Sequence, residues 1–282
     1  MARGDEPALP VLPARLLGWS GALLAAVAWF SAALFGAYIV FFYAGAIAVG
    51  TPAQWNAVLP GLFEPRAPIG TAGIAAHFAA GGIILLLGPI QLIAGIRKAA
   101  PALHRWAGRL YVLAAFTAGI GGLAFIAVNG TVGGIAMSLG FGSYGALMVF
   151  ASVQTWRHGR ARRLPGRLAA HRAWAIRLFA LAIGSWLYRM DYGFWFLLTG
   201  GIGHTADYSG WFDLLMDGAF YLPNFLLAES FVRARAAPRR PALQTAAAVA
   251  MAGIALFVAL ATYQFARIYW VPGIAMRVMG QA

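Results

Sequence analysis

This sequence has no cysteine and very little charge. Without cysteine among its 282 residues, the chain can form no disulfide, no thiolate metal site and no cysteine-ligated iron–sulfur cluster, and it has no cysteine nucleophile. Charged residues make up 10% of the chain and hydrophobic residues 61%, whereas soluble domains carry about 25% charged residues. This balance is typical of a protein that lies within a lipid bilayer.

Several motifs of known enzymes are also missing. The sequence contains no Walker loop, no GxGxxG after a strand, no HExxH and no GxSxG in a strand–turn–helix setting. Its five histidines show no HxxH or HxxxH spacing, so we predict no metal site of that kind. Whether the chain is an enzyme stays open at this point.

Long apolar runs take the place of the missing charges. A helix needs about 20 apolar residues to cross the core of a membrane, and seven runs supply them. They are Leu17–Tyr43, Thr71–Ile96, Leu110–Val128, Ile135–Trp156, Ala173–Leu198, Phe212–Val232 and Thr245–Ala266. No period-two alternation of the kind found in barrel strands dominates. We therefore predict an all-α polytopic membrane protein with seven transmembrane helices, called segments one to seven below.

Acidic residues are few, and the basic residues are unevenly distributed. The net charge of +13 would suggest a nucleic-acid partner in a soluble protein. However, 16 of the 21 lysines and arginines precede segment one or lie in the loops after segments two, four and six. The positive-inside rule then predicts a cytoplasmic N-terminus and an external C-terminus. We expect membrane lipids as partners and no nucleic acid.

The spans divide the chain into three parts. Residues 1–70 form an N-terminal anchor helix and an external loop rich in proline. Segment one is too long for a cleaved signal peptide, so we expect it to be retained. Residues 71–198 form a four-helix core of segments two to five, in which recurring glycines allow close helix packing. Residues 199–282 form two C-terminal helices.

One motif opens two of the core segments. "HRWAGRLY" begins at His104 and "HRAWAIRL" at His171, both at a cytoplasmic end. Arginine and tryptophan are ordinary anchors at such ends, but histidine is also a common axial ligand of haem. The candidates for binding a cofactor such as haem b are His104, His171 and, in the outer half, His77. The candidates for binding an anion or a lipid headgroup are Arg105, Arg109, Arg172 and Arg177.

Other polar groups lie within the apolar segments. Arg189 lies in the outer half of segment five, and Asp213 and Asp217 share one face of segment six. An ionisable residue within a membrane helix is costly and calls for a partner. We expect Arg189 to pair with one of these aspartates, either to join two helices or to form a transport site. Gln91 lies in the inner half of segment two.

Three stretches carry a resemblance to a known family. They are "HFAAGGIILLLGPIQL" from His77, "HRWAGRLYV" from His104, and "HRAWAIRLFALAIGSWLYR" from His171 to Arg189. With Arg97, they resemble the DUF2306 family of predicted bacterial membrane proteins over about Thr71 to Arg189. The resemblance implies a four-span core in a bacterial inner membrane. It marks as family positions His77, Gln91, His104, Arg105, Arg109, His171, Arg172, Arg177 and Arg189.

Three functions remain open on this evidence. The first is a redox module similar to cytochrome b561, which would bind haem b or a quinone. The second is a transporter or an anionic-lipid-binding protein that uses Arg189, Asp213 and Asp217. The third is a structural subunit of a membrane complex.

Overall fold

The structure is a computed structural model that describes residues 11–161, 163–234 and 241–279. Within these residues every regular element is helical, which confirms the all-α prediction. The helices are α1 (Val11–Tyr38), α2 (Gly45–Ala48), α3 (Pro68–Leu92), α4 (Ala94–Ala99), α5 (Pro101–Asn129), α6 (Gly134–Arg160), α7 (Arg167–Ala182), α8 (Gly184–Thr199), α9 (Trp211–Ala219), α10 (Leu222–Ala234), α11 (Pro241–Phe265) and α12 (Val271–Val278). Of the cytoplasmic arginines predicted from the sequence, Arg3, Arg162, Arg235, Arg239 and Arg240 lie outside the described residues.

Five helical stretches in the described part of the chain are long and apolar enough to cross a membrane. They are Arg15–Ala48, Pro68–Gly88, Pro101–Asn129, Gly134–Arg160 and Gln244–Val278. These stretches correspond to segments one, two, three, four and seven. Segments five and six are instead divided into the pairs α7 with α8 and α9 with α10.

Segment five is interrupted at Ile183, between α7 and α8. The hydroxyl of Tyr144 on α6 donates a hydrogen bond to the carbonyl of Leu181 at 2.8 Å, and Gly184 and Ser185 follow directly. A side chain that inserts into the backbone ladder, or a Gly–Ser pair, is a known cause of helix kinks. The sequence shows the Gly–Ser pair but not the tyrosine that reaches it from another helix.

Segment six is interrupted at Phe220 and Tyr221, between α9 and α10. Pro223 follows, and because proline has no N–H it removes one backbone hydrogen bond from a continuing helix. The side-chain amide of Asn224 donates to the Phe220 carbonyl at 2.9 Å. Local residues therefore account for this break.

Buried side chains form two clusters between the helices. The first lies between α3, α5, α6 and α7 and extends to α8 and α9. Tyr111, Tyr144 and Leu178 are among its members. The second joins α1, α8 and α11 through residues such as Trp186 and Trp270. A π-helical turn, Ile39–Ala44, continues α1 into α2 at the edge of this second cluster.

Candidate functional site

Polar side chains gather where the C-terminal end of α3 meets the N-terminal end of α5, the end that the sequence predicts to be cytoplasmic. His104 and Tyr111 are seven residues apart on α5 and therefore share one face of this helix. Gln91 of α3 packs against that face, since a Cβ added at Gly108 would lie 3.0 Å from the Gln91 Oε1 atom. Among the described residues, the Gln91 Nε2, His104 Nδ1 and Tyr111 hydroxyl atoms are buried and have no hydrogen-bond partner. We call Gln91, His104, Tyr111 and His171 the inner site.

His171 contributes to this site from α7. Its Nδ1 atom lies 3.1 Å from the Thr155 carbonyl oxygen. Because a carbonyl can only accept, Nδ1 carries a hydrogen, and in the neutral ring Nε2 then has the free lone pair. The ring packs against α6, where a Cβ added at Gly159 would lie 3.1 Å from it, and it lies within electrostatic reach of His104.

The backbone next to the inner site leaves the helical conformation. Ile93 has an extended conformation, with φ −72° and ψ 109°, and separates α3 from the short helix α4. Gln91 lies two residues before this break. The side chains of Ile93, Leu103 and Trp106 are exposed on the protein surface, so the inner site lies beside a surface that lipids can contact.

The four candidate arginines fall into two groups. Arg105, Arg109 and Arg172 are exposed, and the Arg109 guanidinium lies 4.8 Å from the centre of the Trp106 ring. Arg177 instead forms an ion pair with Glu229 of α10 at 2.7 Å. Arg177 therefore joins α7 to α10, a contact that the sequence does not show.

Arg189 does not form the expected ion pair. Its Nη1 atom donates to the Ser185 carbonyl at 2.8 Å, and its Cζ atom lies 4.7 Å from the centre of the Phe35 ring. Both carboxyl oxygens of Asp217, a residue 6% exposed, lack a hydrogen-bond partner among the described residues. Asp213 pairs with His204. The predicted pairing of Arg189 with either aspartate is therefore wrong.

Asp213 is fully buried and holds the loop between α8 and α9, called the outer loop because the sequence predicts it to be external. Its Oδ1 atom accepts hydrogen bonds from the Tyr192 hydroxyl at 2.5 Å and from His204 Nδ1 at 2.7 Å. Its Oδ2 atom accepts from the backbone N–H groups of Thr205 at 3.0 Å and Gly210 at 3.1 Å. These contacts satisfy the carboxylate locally, which is why it has no need of Arg189.

Asp207, in the same outer loop, has a different environment. It is exposed, and hydrogen bonds from Thr205 and Ser209 lower the pKa of its carboxyl. Asp207 therefore carries a solvated charge, whereas Asp213 carries a buried one.

His77 lies in the N-terminal half of α3 and belongs to a second group of polar side chains. Its Nδ1 atom lies 2.9 Å from the Ala118 carbonyl oxygen, so Nδ1 carries a hydrogen, and in the neutral ring Nε2 has the free lone pair. His77 lines a cavity of about 30 Å³ together with Tyr144, Ser185 and Arg189. We call this the Arg189 cavity.

Several residues of these sites escape prediction from the sequence. Tyr111 has a visible signal, because it follows His104 by seven residues in the stretch "HRWAGRLY". Thr155 and Glu229 have none, since their partners are on other helices. In the described part of the chain, no group of three or more His, Asp or Glu residues is arranged to hold a metal ion.

Comparison with known proteins gives one match. The family model described as "Predicted membrane protein (DUF2306)" matches residues 74–232, which is more than half of the chain. The match includes the inner site and Arg189 and continues through Asp213 and Asp217 to α10. No curated protein and no solved structure gives a significant match.

Proposed function

Since the chain belongs to the DUF2306 family of predicted membrane proteins, we propose a function from the geometry of its inner site: the binding of a membrane-soluble quinone. The observation that carries the proposal is the set of buried polar atoms on Gln91, His104 and Tyr111 that have no partner within the described residues. A buried polar group left unpaired costs about 1–3 kcal/mol. Three such groups on facing helices favour a ligand that pairs with them.

The chemistry of these groups matches a quinone. The Gln91 side-chain amide and the Tyr111 hydroxyl can both donate hydrogen bonds, and a quinone carries two carbonyl oxygens that accept them. The His171 Nε2 atom can accept a hydrogen bond, which suits the hydroxyl of the reduced quinol. A site with both kinds of group can hold either redox form.

The surroundings of the site favour a ligand that arrives from the membrane. The helix breaks at Ile93, two residues after Gln91 of the inner site. The apolar side chains of Ile93, Leu103 and Trp106 beside this break are exposed. An apolar ligand dissolved in the bilayer would meet this surface directly. Pockets of this kind are largely apolar with a few polar groups that orient the ligand.

The first test is a binding titration of the purified protein in nanodiscs with decyl-ubiquinone, followed by quenching of tryptophan fluorescence. We expect saturable binding that Gln91→Leu and Tyr111→Phe each weaken by about tenfold, the equivalent of one hydrogen bond of about 1.4 kcal/mol. Tyr269→Phe, at an exposed position, is the matched control. Equal affinity in all variants, or no saturable binding, would contradict the proposal. If the quinone does not bind, co-purification of this chain with another membrane protein would favour its role as a structural subunit of a membrane complex.

Haem b is the second candidate for the same site. The hydrogen bond from His171 Nδ1 to the Thr155 carbonyl leaves Nε2 as the ligating atom, and such a bond from the other ring nitrogen orients many ligating histidines. His104 lies nearby on α5. If haem were bound, both rings would serve as its axial ligands, and haem would supply one-electron chemistry. An absorption spectrum of the same sample decides this: a Soret band that His171→Ala removes and His158→Ala retains would favour haem over quinone.

We also propose seven crossings of a bacterial inner membrane, with a cytoplasmic N-terminus. The pairs α7 with α8 and α9 with α10 each form one interrupted crossing; residues 211–234 of the second pair would span about 36 Å at 1.5 Å per residue. The basic residues of the loop after α6 and the rarity of basic residues after α8 support this orientation.

Because the chain has no cysteine, a single introduced thiol can be labelled specifically to test how many times the chain crosses the membrane. Ala206→Cys places a thiol in the loop between α8 and α9, and Arg163→Cys places one in the loop before α7; both positions are exposed. We expect a membrane-impermeant maleimide to label position 206 on intact cells and position 163 only after permeabilisation. Labelling of both from the same side would show that α7 and α8 together make no single crossing.

A further inference from the structure

The Arg189 cavity is a polar space within the membrane region that the quinone proposal does not use. It lies between α1, α3, α6 and α8, with Ala118 of α5 and Ala182 of α7 also in its lining. Its polar side chains are His77, Tyr144, Ser185 and Arg189, and its other lining residues are apolar or small. None of the described residues that line it carries a carboxylate.

Arg189 brings a positive charge to this cavity without a negative partner. Its contacts are the Ser185 carbonyl and the Phe35 ring. The carbonyl has a dipole and the ring has a quadrupole, but neither carries a negative charge. Asp191 does not supply one, because residues two positions apart on a helix do not face each other. Arg189 is half-buried, and removing an ion from water without a counter-ion is unfavourable.

The dimensions of the cavity limit what can neutralise the charge. About 30 Å³ is room for about two water molecules. A monatomic anion fits such a space, whereas sulfate, phosphate or a lipid headgroup is too large. Guanidinium carries five N–H donors, and the described hydrogen bonds engage one of its nitrogens, Nη1, with the Ser185 carbonyl.

The geometry points to a binding site for a small monovalent anion, such as chloride, beside Arg189. The guanidinium and the Ser185 hydroxyl would donate to the anion. The His77 ring directs its Nδ1 hydrogen to the Ala118 carbonyl, and in its neutral form Nε2 would accept from a water molecule next to the anion. The site is separate from the inner site and does not depend on quinone binding.

The test is the thermal stability of the purified protein in nanodiscs as chloride replaces gluconate at constant ionic strength. A ligand that binds only the folded state raises the unfolding temperature with saturation. We expect a rise of about 5 °C at saturating chloride and no rise with sulfate. A stability that is independent of chloride would mean that the cavity holds water only, and would overturn the inference.

Two variants identify the residue that is responsible. Arg189→Gln removes the charge, so we expect it to abolish the chloride dependence and to be more stable than the wild type in gluconate. Arg66→Gln, at an exposed position of the loop before α3, should behave as the wild type. Retained chloride dependence in Arg189→Gln would overturn the assignment. If that variant fails to fold, broadening of the chloride NMR resonance by the wild-type protein, reversed by bromide, still decides the question.

Discussion

Replacing Gly121 with valine is expected to greatly reduce the amount of folded protein. At this point α3 and α5 cross with their backbones in contact. A Cβ added at Gly121 would lie 3.1 Å from the His77 backbone nitrogen and closer still to the Gly73 carbonyl oxygen. A Cβ at Gly73 would in turn lie 2.7 Å from the Gly121 carbonyl oxygen. The helices would have to separate, because no flexible side chain can move aside.

The expected cost of this change is large. Overpacking of a well-packed core costs about 1–3 kcal/mol and more where the backbone must shift. Separation of α3 from α5 would also lengthen the hydrogen bond from His77 to Ala118. Because total stability is only about 5–15 kcal/mol, a loss above about 3 kcal/mol should greatly reduce the yield of folded protein.

The measurement is the monodisperse fraction after detergent extraction, together with the unfolding temperature of that fraction. Gly142→Val is the matched control, because no atom lies within 4 Å of a Cβ added at Gly142 in α6. We expect the control to fold as the wild type does. Equal yields of the two variants would show that the α3–α5 crossing is less tight than described.

Asp213→Ala is expected to have the second-largest effect. The Asp213 side chain is fully buried and accepts four hydrogen bonds, which would all be lost. The backbone N–H group of Thr205 and the Tyr192 hydroxyl would lose their acceptor, and the Gly210 N–H would keep only the Thr205 hydroxyl. Removing one side of a buried charged network costs about 3–5 kcal/mol. The loop before α9 should then separate from α8.

Limited proteolysis and thermal unfolding together measure this effect. We expect cleavage between residues 200 and 210 in Asp213→Ala and a fall of about 6–12 °C in the unfolding temperature. Asp207→Ala is the control, because Asp207 is exposed and its side chain contacts only its own loop. A change there should stay within about 0.5 kcal/mol. Similar stability of both variants would contradict the structural role of Asp213.

The helical architecture was largely predictable, because long apolar runs determine membrane helices. The interruptions were predictable to different degrees. Pro223 marks the break between α9 and α10 by its missing N–H, and this signal is local. The break at Ile183 depends on a hydroxyl from α6, Tyr144, which is 37 positions away from the Leu181 carbonyl. No local pattern contains that contact.

The candidate sites show the same division between local and distant contacts. Gln91, His104 and His171 were recognisable from their residue types and depths, and Tyr111 from its spacing. The pairing of Arg189 with Asp213 failed because His204, in the loop before α9, folds back onto Asp213. Depth along a helix indicates which groups can meet. It does not indicate which loop reaches a carboxylate first.

Photochemical labelling tests the proposed role of the inner site most directly. A photoreactive quinone analogue would be bound to the protein in nanodiscs, activated by light, and located by mass spectrometry of the peptides. The proposal predicts labels near Gln91 at the end of α3 and near His104 to Tyr111 on α5, reduced by excess decyl-ubiquinone and by Tyr111→Phe. Labels spread over the lipid-facing surfaces of α1 and α11, unchanged by either competition or that variant, would contradict it.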